Sequence, residues 1–372
     1  MALSGIVFAV TLLTVQVALF SGFSNSTTLP ISESSADVWV SAPEMLYFEG
    51  TLPLQYGDVA KVRSVPGVQR AEALSLGVAR WRSPHDLLAL GRVIGFDPNG
   101  TLFDPGNADR STLARLREPY AFAVDAMQLR ILDLHAGQSG RIGTLPAHLA
   151  YVTQKTQPIV SATFLYTSLE TANAYTPSAL SFFSPPGAAP PPLEESDPIM
   201  YVLVKARNPA ASAQLAAAIE RRVPRVRALT RDAMLRTTRD YWIKRTGIGF
   251  VLTLIALMGA TVGIAVVGQI LYTSINEHFH EYGTLKAIGV NDAYLYGVIA
   301  LQASFMALIG YVPSLALTFG IRAIAAGRGV DILITPGGAL LVLVVALAIC
   351  IGAGMIAMQR VARADPALVF RA

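Results

Sequence analysis

One cysteine, Cys350, is all that the 372-residue chain carries, and it lies in an apolar run. The large polar part of the protein therefore has no disulfide and must be held by its own core. Charged residues are scarce at 15%, against 53% hydrophobic, a balance too apolar for an ordinary soluble protein and too polar for one immersed in a bilayer throughout. No G-x-x-x-x-G-K-S/T occurs, so the chain has no phosphate-cradling loop for ATP. His278 and His280 stand two apart and point to different helix faces, with no H-E-x-x-H and no cysteine pair beside them, so no metal site is expected. Residues 24–240 hold 21 of the 29 Lys/Arg and 20 of the 25 Asp/Glu. That near-neutral region lacks the basic stripe of a nucleic-acid binder, and no nucleic acid partner is expected.

What the chain does have is long apolar runs, at 2–23, 247–274, 294–321 (interrupted by Pro313) and 337–358, none containing Asp, Glu, Lys or Arg. A hydrocarbon core of about 30 Å needs about 20 helical residues, so each run is long enough to cross it. The first lacks a basic n-region, exceeds the usual apolar length of a signal peptide and precedes no A-x-A site, which reads as an uncleaved anchor. With so few ionisable groups in the runs, a proton relay or ion route is not expected, which disfavours a gradient-driven transporter.

About 220 residues separate the first two runs, enough for one or two domains with real cores. "ADVWVS" alternates as a strand, and the following stretch predicts a short helix from Asp58, a turn at Pro66-Gly67 and a strand. At the far end "IMYVLVKA" predicts a strand, "NPAASAQLAAAIERRV" a helix capped by Asn208 with Pro209 at its first position, and "RVRALT" another strand. Residues 109–176 read as β-rich and irregular, with "GQSGRIG" as a turn, and the Pro-rich 177–198 reads as a loop. The expected fold is an α-helical membrane protein with four transmembrane helices and a large α+β domain, two α/β lobes bracketing a β-rich lobe.

Between the second and third runs lies "NEHFHEYGTLKAIGVND", residues 276–292. Burying Glu277, Glu281, Lys286 or Asp292 near the bilayer centre would cost about 2.5–3.5 kcal/mol each, so the segment lies outside the hydrocarbon. Asn276 suits an N-cap, Glu277 the positive end of a first turn, Gly289 a C-terminal stop, and Asn291 or Asp292 the cap of the next helix. A helix this short needs a surface to dock on, with Glu281, Leu285 and Ile288 on one side. The alternative is a helix resting on lipid headgroups through Phe279, Tyr282, Leu285 and Ile288.

Gly259, Gly263 and Gly268 form a small-residue face for helix packing, within the chain or in a dimer. Gln16, Gln269 and Gln302 are polar groups available for hydrogen bonds between helices. Tyr241, Trp242, Lys244 and Arg245 resemble a membrane-surface belt at the start of the second crossing, which is expected to begin as a helix outside the bilayer. Seven arginines between Arg221 and Arg239 suit either anionic lipid heads or, with Glu220, Asp232 and Asp240 among them, a solvated face.

The stretch 266–320, and within it "EYGTLKAIG", resembles the permease subunits of DevC-type ABC exporters in the MacB/FtsX/LolC superfamily, whose motif there is E-x-G-x-L-K/R-A-I/L/M-G. The C-terminal "RADPALVFRA" resembles the superfamily's D-P-containing tail. The resemblance implies transmembrane helix 1 at 1–23, a periplasmic domain at 24–240, and transmembrane helix 2 with a periplasmic extension at 241–275. It further implies a cytoplasmic coupling helix and turn at 276–292, helix 3 at 293–325, a short periplasmic loop at 326–336, helix 4 at 337–358 and a cytoplasmic tail at 359–372.

It implies that Glu281, Tyr282, Gly283, Leu285, Lys286 and Gly289 contact a cytoplasmic ABC ATPase, which uses ATP with Mg while this chain holds no cofactor and is not an enzyme. It implies a homodimer in a bacterial inner membrane, in contact with membrane lipids, a periplasmic membrane-fusion protein and an outer-membrane channel, exporting a glycolipid, another lipid-like molecule or a small peptide. LolC-like lipoprotein release and FtsX-like activation of a periplasmic hydrolase are the alternatives. Relatives usually carry a basic segment before the first crossing, which is not seen in this sequence.

Overall fold

The structure, a computed structural model, describes all residues except 1, 136–137, 181–188, 278–280, 282–283, 286–287, 289, 327–331 and 363–372. The chain divides into two compact units, Asn25–Thr246 and the combination of Met1–Ser24 with Gly247–Ala372.

Helix α1 (Ala2–Ser26) leads through the short α2 (Leu29–Ser32) into the first of these units. Its strands are β1 (Val38–Ser41), β2 (Leu54–Gln55), β3 (Val68–Arg82), β4 (Leu88–Phe96), β5 (Ala121–Asp125), β6 (Ser139–Ile142), β7 (Leu145–Thr153), β8 (Thr163–Ser168), β9 (Pro198–Ile199), β10 (Tyr201–Ala206) and β11 (Arg227–Thr230). Its further helices are α3 (Asp58–Arg63), α4 (Arg110–Ala114), α5 (Leu169–Leu180), α6 (Ser212–Arg222) and α7 (Arg231–Arg245).

Nine strands form one sheet in the order β11-β1-β10-β3-β4-β8-β5-β7-β6. The 15-residue β3 is its spine, pairing with β10 through its first half (Leu74 opposite Tyr201) and with β4 through its second (Arg82 opposite Leu88). Its far end also pairs with β6, Trp81 opposite Ile142, which closes six strands into a ring. Trp81, Phe122 and Tyr175 anchor the core cluster there, and Trp81 Nε1 donates to Leu132 O at 2.8 Å, so the one polar atom of the buried indole is satisfied. The α/β units at the two ends of the domain sequence thus share one sheet with the β-rich part, joined through β3.

Two local expectations change. "GQSGRIG" is not a turn as a whole: Ser139–Ile142 is strand β6, held by β7 and β3, and the turn falls at Gly143 with φ +61°. The Pro-rich stretch at 177–198 does not start as a loop, because α5 continues to Leu180 with Pro177 inside it. That helix lies close on the sheet, where a Cβ on Gly77 or Gly95 would strike Thr176 or Ala172. At the other end of the stretch β9 pairs with β2. The helix at 212–222 follows expectation in kind, although its first turn, Pro209–Ala211, is a 3₁₀ turn capped by the Asn208 side chain, which accepts from Ala210 N.

The second unit holds four helices among the described residues that are long and apolar enough to cross a membrane: Ser4–Ser26, Ile248–Ile270, Ala293–Ala325 and Pro336–Ile356. They belong to α1, α8 (Ile248–Glu277), α9 (Asp292–Ala326) and α10 (Pro336–Ala362). The first span is 50% buried, against 17%, 28% and 28% for the others, so it is the central helix. Gly310 of α9 receives Ile6, whose Cγ2 would lie 2.7 Å from an added Cβ, and Leu333 N donates to Ala18 O at 3.2 Å. Helix α9 runs unbroken through Pro313. Beside that missing N–H the Ser314 hydroxyl lies 2.7 Å from Gly310 O and 3.0 Å from Val7 O, tying α9 to α1.

The expected single helix with an extension at 241–275 is interrupted. Helix α7 ends at Arg245, Gly247 takes φ +72°, and α8 starts at Ile248. Glycine adopts this left-handed conformation without the steric cost of a Cβ and ends the first helix.

Candidate functional site

The polar segment between α8 and α9 starts from a difference. Helix α8 continues through Asn276 to Glu277, so Asn276 lies inside a helix and does not begin one. Among the described residues, Glu281, Thr284 and Leu285 are helical and exposed. Ile288 N donates to Thr284 O and Val290 N to Leu285 O, both at 3.1 Å, the second being the six-to-one bond with which many helices close. Asn291 then caps α9: its Oδ1 accepts from Ala293 N at 3.2 Å and its carbonyl from Tyr294 N at 2.9 Å.

Leu285 is 39% exposed and Ile288 76% exposed, so two apolar side chains and Glu281 stand uncovered next to one another in sequence. Tyr282, Gly283, Lys286 and Gly289, as well as His278 and His280, lie outside the described residues.

The three span-two glycines separate. A Cβ on Gly259 would come within 2.7 Å of Gln16 Cδ on the first span, and one on Gly263 would rest 3.7 Å from Ala9 Cβ, so both serve packing within the chain. Gly268 has no atom within 4 Å of such a Cβ. Gln16 sits on the packed face, where its Oε1 is buried without a hydrogen-bond partner among the described residues.

In the sheet unit the connections to the first and second spans are pinned together. Arg231, opening α7, donates from Nη2 to Ser32 O of α2 at 2.7 Å and from its backbone N to Asp37 O at 3.0 Å. Thr230 caps α7 by accepting from Ala233 N at 3.3 Å. One residue past Ser32, the Glu33 carboxyl is pushed up to about 8 by burial. The Asp104 and Asp125 carboxylates add to this against a single backbone N–H from Gly106. Its Oε2 and the Tyr151 hydroxyl are buried without hydrogen-bond partners among the described residues. Burial raises the Tyr151 hydroxyl as well, with Asp104 and Glu33 adding to it.

A cleft of about 380 Å³ lies where α7 meets β11 and the loop after β1, lined among others by Arg227, Asp240, Tyr241, Lys244 and Arg245. Sequence reading marked Tyr241, Lys244 and Arg245 as a membrane-surface belt. Their meeting with Met45 and Leu46 from a distant loop had no local signal. Among the described residues no group of three or more His, Cys, Asp and Glu is arranged to hold a metal.

Comparison with known proteins gives two family matches. Residues 1–222 match the MacB-like periplasmic core domain and residues 253–366 the FtsX-like permease C-terminal domain. An uncharacterised ABC transporter permease, found in two strains of Mycobacterium tuberculosis, is 32% identical over 121 residues, 32% of this chain and 33% of the relative. The match thus spans about a third of those relatives' length. Among solved structures, the extracellular domain of the ABC-type transporter YknZ from Gram-positive bacteria aligns at 11% identity over 53% of this chain and 100% of its own, TM-score 0.34. The periplasmic region of MacB from Actinobacillus actinomycetemcomitans aligns at 11% over 56% and 94%, TM-score 0.35. With four apolar helices of spanning length and a periplasmic-core match over more than half its length, this is a membrane protein with a periplasmic domain, and the chain belongs to the MacB/FtsX/LolC superfamily of permeases.

Proposed function

We propose that this chain is the membrane subunit of an ABC-type exporter, passing ATP-driven motion from a cytoplasmic ATPase to its periplasmic domain. The observation that carries the reading is the uncovered polar turn between α8 and α9, where Glu281, Leu285 and Ile288 stand exposed between two helices of membrane-crossing length. Covering Ile288 with a partner surface would gain at most about 1.5–3 kcal/mol, and covering Leu285, already more than half buried, correspondingly less. The chain has no phosphate-binding loop of its own, which agrees with ATP and Mg being held by a separate subunit.

In this reading Glu281, Tyr282, Gly283, Leu285, Lys286 and Gly289 form the ATPase contact. Two copies of the chain work with two ATPases in a bacterial inner membrane. Motion reaches the periplasmic domain through its two connections, which Arg231 couples by bonding to both Ser32 and Asp37. The interruption at Gly247 makes the route through the second span a jointed one. The DevC-like sequence of 266–320 favours export of a glycolipid, another lipid-like molecule or a small peptide, with a membrane-fusion protein and an outer-membrane channel.

The test is to replace Glu281 and Leu285 by Ala, singly and together, and to follow co-purification and turnover of the ATPase. Leu285→Ala is expected to weaken the association about tenfold, the usual effect of truncating an apolar anchor, with Lys286→Ala as the charge control. Unchanged association and turnover in the double variant would remove the proposal.

A further inference from the structure

We propose that the cleft between α7, β11 and the loop after β1 binds the phosphate of an anionic lipid headgroup. The proposal rests on Ile248–Ile270 crossing the bilayer and is independent of the ATPase reading. Three cations, Arg227, Lys244 and Arg245, line about 380 Å³ of space against one carboxylate, Asp240. Asp240 Oδ2 is taken by Lys244 Nζ at 2.8 Å, and among the described residues neither arginine has a carboxylate partner. Arg227 is anchored by donating from Nη1 to Met45 O at 3.2 Å, which fixes its guanidinium at the cleft while a planar fork of five donors serves more than one acceptor. A phosphate oxyanion fits that donor geometry and balances the excess charge.

The apolar wall and the rings beside the cleft argue for an amphiphile over a free ion. Leu46 is 49% exposed at the wall, and the lining Tyr241 stacks on Tyr47 at 4.0 Å with 11° between the planes; next to the lining, Trp242 meets Tyr47 edge-on at 5.5 Å. Aromatic rings with one apolar side and one polar tip are the side chains that settle at headgroup level.

Chain length fixes the depth. Arg245 precedes by three residues the Ile248 that opens the span, a tether of at most about 10 Å even when extended. Each headgroup layer is about 5–8 Å thick, so a tether of that order, with the length of the arginine side chain added, leaves Arg245 able to reach lipid phosphates.

The experiment uses the full chain reconstituted in vesicles of equimolar phosphatidylglycerol and phosphatidylcholine, released and read by native mass spectrometry for retained lipid. Phosphatidylglycerol is expected to be retained in preference. Arg227→Gln and Arg245→Gln should each lower that retention roughly fivefold, the effect of one basic residue at a charged lipid surface. Arg222→Gln, an exposed arginine at the end of α6 and outside the cleft lining, should leave it unchanged. Excess inorganic phosphate should not displace the lipid.

No preference for phosphatidylglycerol, an equal loss on Arg222→Gln, or binding of inorganic phosphate without lipid retention would each overturn the proposal. If Arg227→Gln fails to fold by tryptophan fluorescence, the exposed Arg245→Gln decides alone.

Discussion

In the sheet unit Trp39, Trp81, Phe122 and Tyr201 are fully buried, whereas in the helical unit Phe250 is 70% exposed and Met258 62% exposed. The same residue types are placed oppositely because the two units meet different solvents. In water, removing apolar surface drives folding, at about 25 cal/mol per Å². In a bilayer the lipid is as apolar as the side chains, so large residues face outward and helices associate through small ones that allow close approach. Glycine shows the same division. In the sheet unit Gly67, Gly106 and Gly143 supply left-handed turns, while Gly259 and Gly310 supply notches for Gln16 and Ile6. An exposed leucine therefore has one meaning in a span and another at Leu46 or Leu285, where water or a headgroup surrounds it.

The comparison breaks most visibly at a buried aromatic. Trp81→Ala should cost the sheet unit about 3–5 kcal/mol, since it leaves a cavity and strands the Leu132 carbonyl. Met258→Ala should leave that unit unchanged. All three tryptophans, Trp39, Trp81 and Trp242, lie in the sheet unit, so tryptophan fluorescence during denaturation of the detergent-solubilised chain reads it selectively.

The notch sharpens the contrast next. Gly259→Leu should destabilise the helical unit by about 1–3 kcal/mol through overpacking against Gln16, while Gly268→Leu, facing open space, should not. Loss of helical circular dichroism on heating in detergent would report the difference.

A change of at most about 1.4 kcal/mol over any one pH unit, the smallest step to be read, comes from Glu33. Its carboxyl holds a proton to about 8 in the folded protein, against an ordinary value of 4.5. Below about 4.5 folded and unfolded forms are both protonated. From there to about 8 the unfolded chain releases a proton that the folded one keeps, so stability falls with rising pH by at most about 1.4 kcal/mol per unit. Glu33→Gln should flatten that slope and raise thermal stability at neutral pH. A variant with the same slope as the parent would show that another group sets it.

Much of the fold was legible where the signals are local. Asn208 and Pro209 announced α6, Asp58 announced α3, and apolar runs free of Asp, Glu, Lys and Arg announced the four spans. Helix α5 was hidden because its first eight residues read with the β-rich stretch 109–176 and Pro177 and the prolines after it as loop, while it docks on Gly77 and Gly95 in strands far earlier in the sequence. Strand β6 was hidden because Ser139 and Gly140 carry turn composition, while the strand is held by its hairpin partner β7 and, through Arg141 and Ile142, by the distant β3.

The polar segment was visible from its charges. Its start was misplaced because Asn276, a good cap in isolation, is absorbed by the momentum of an already formed helix. The basic cleft joins Arg227 to Met45 across 182 residues, and no window of sequence contains both.

The central claim is that the turn between α8 and α9 faces the cytoplasm and is covered by an ATPase. With the buried Cys350 replaced by Ala, a single cysteine at Leu285→Cys offers a direct test by a membrane-impermeant maleimide. Labelling only after the inner membrane is opened, and reduced when the ATPase subunit is bound, is the predicted result. Labelling of Leu285→Cys in spheroplasts with intact membranes would contradict it.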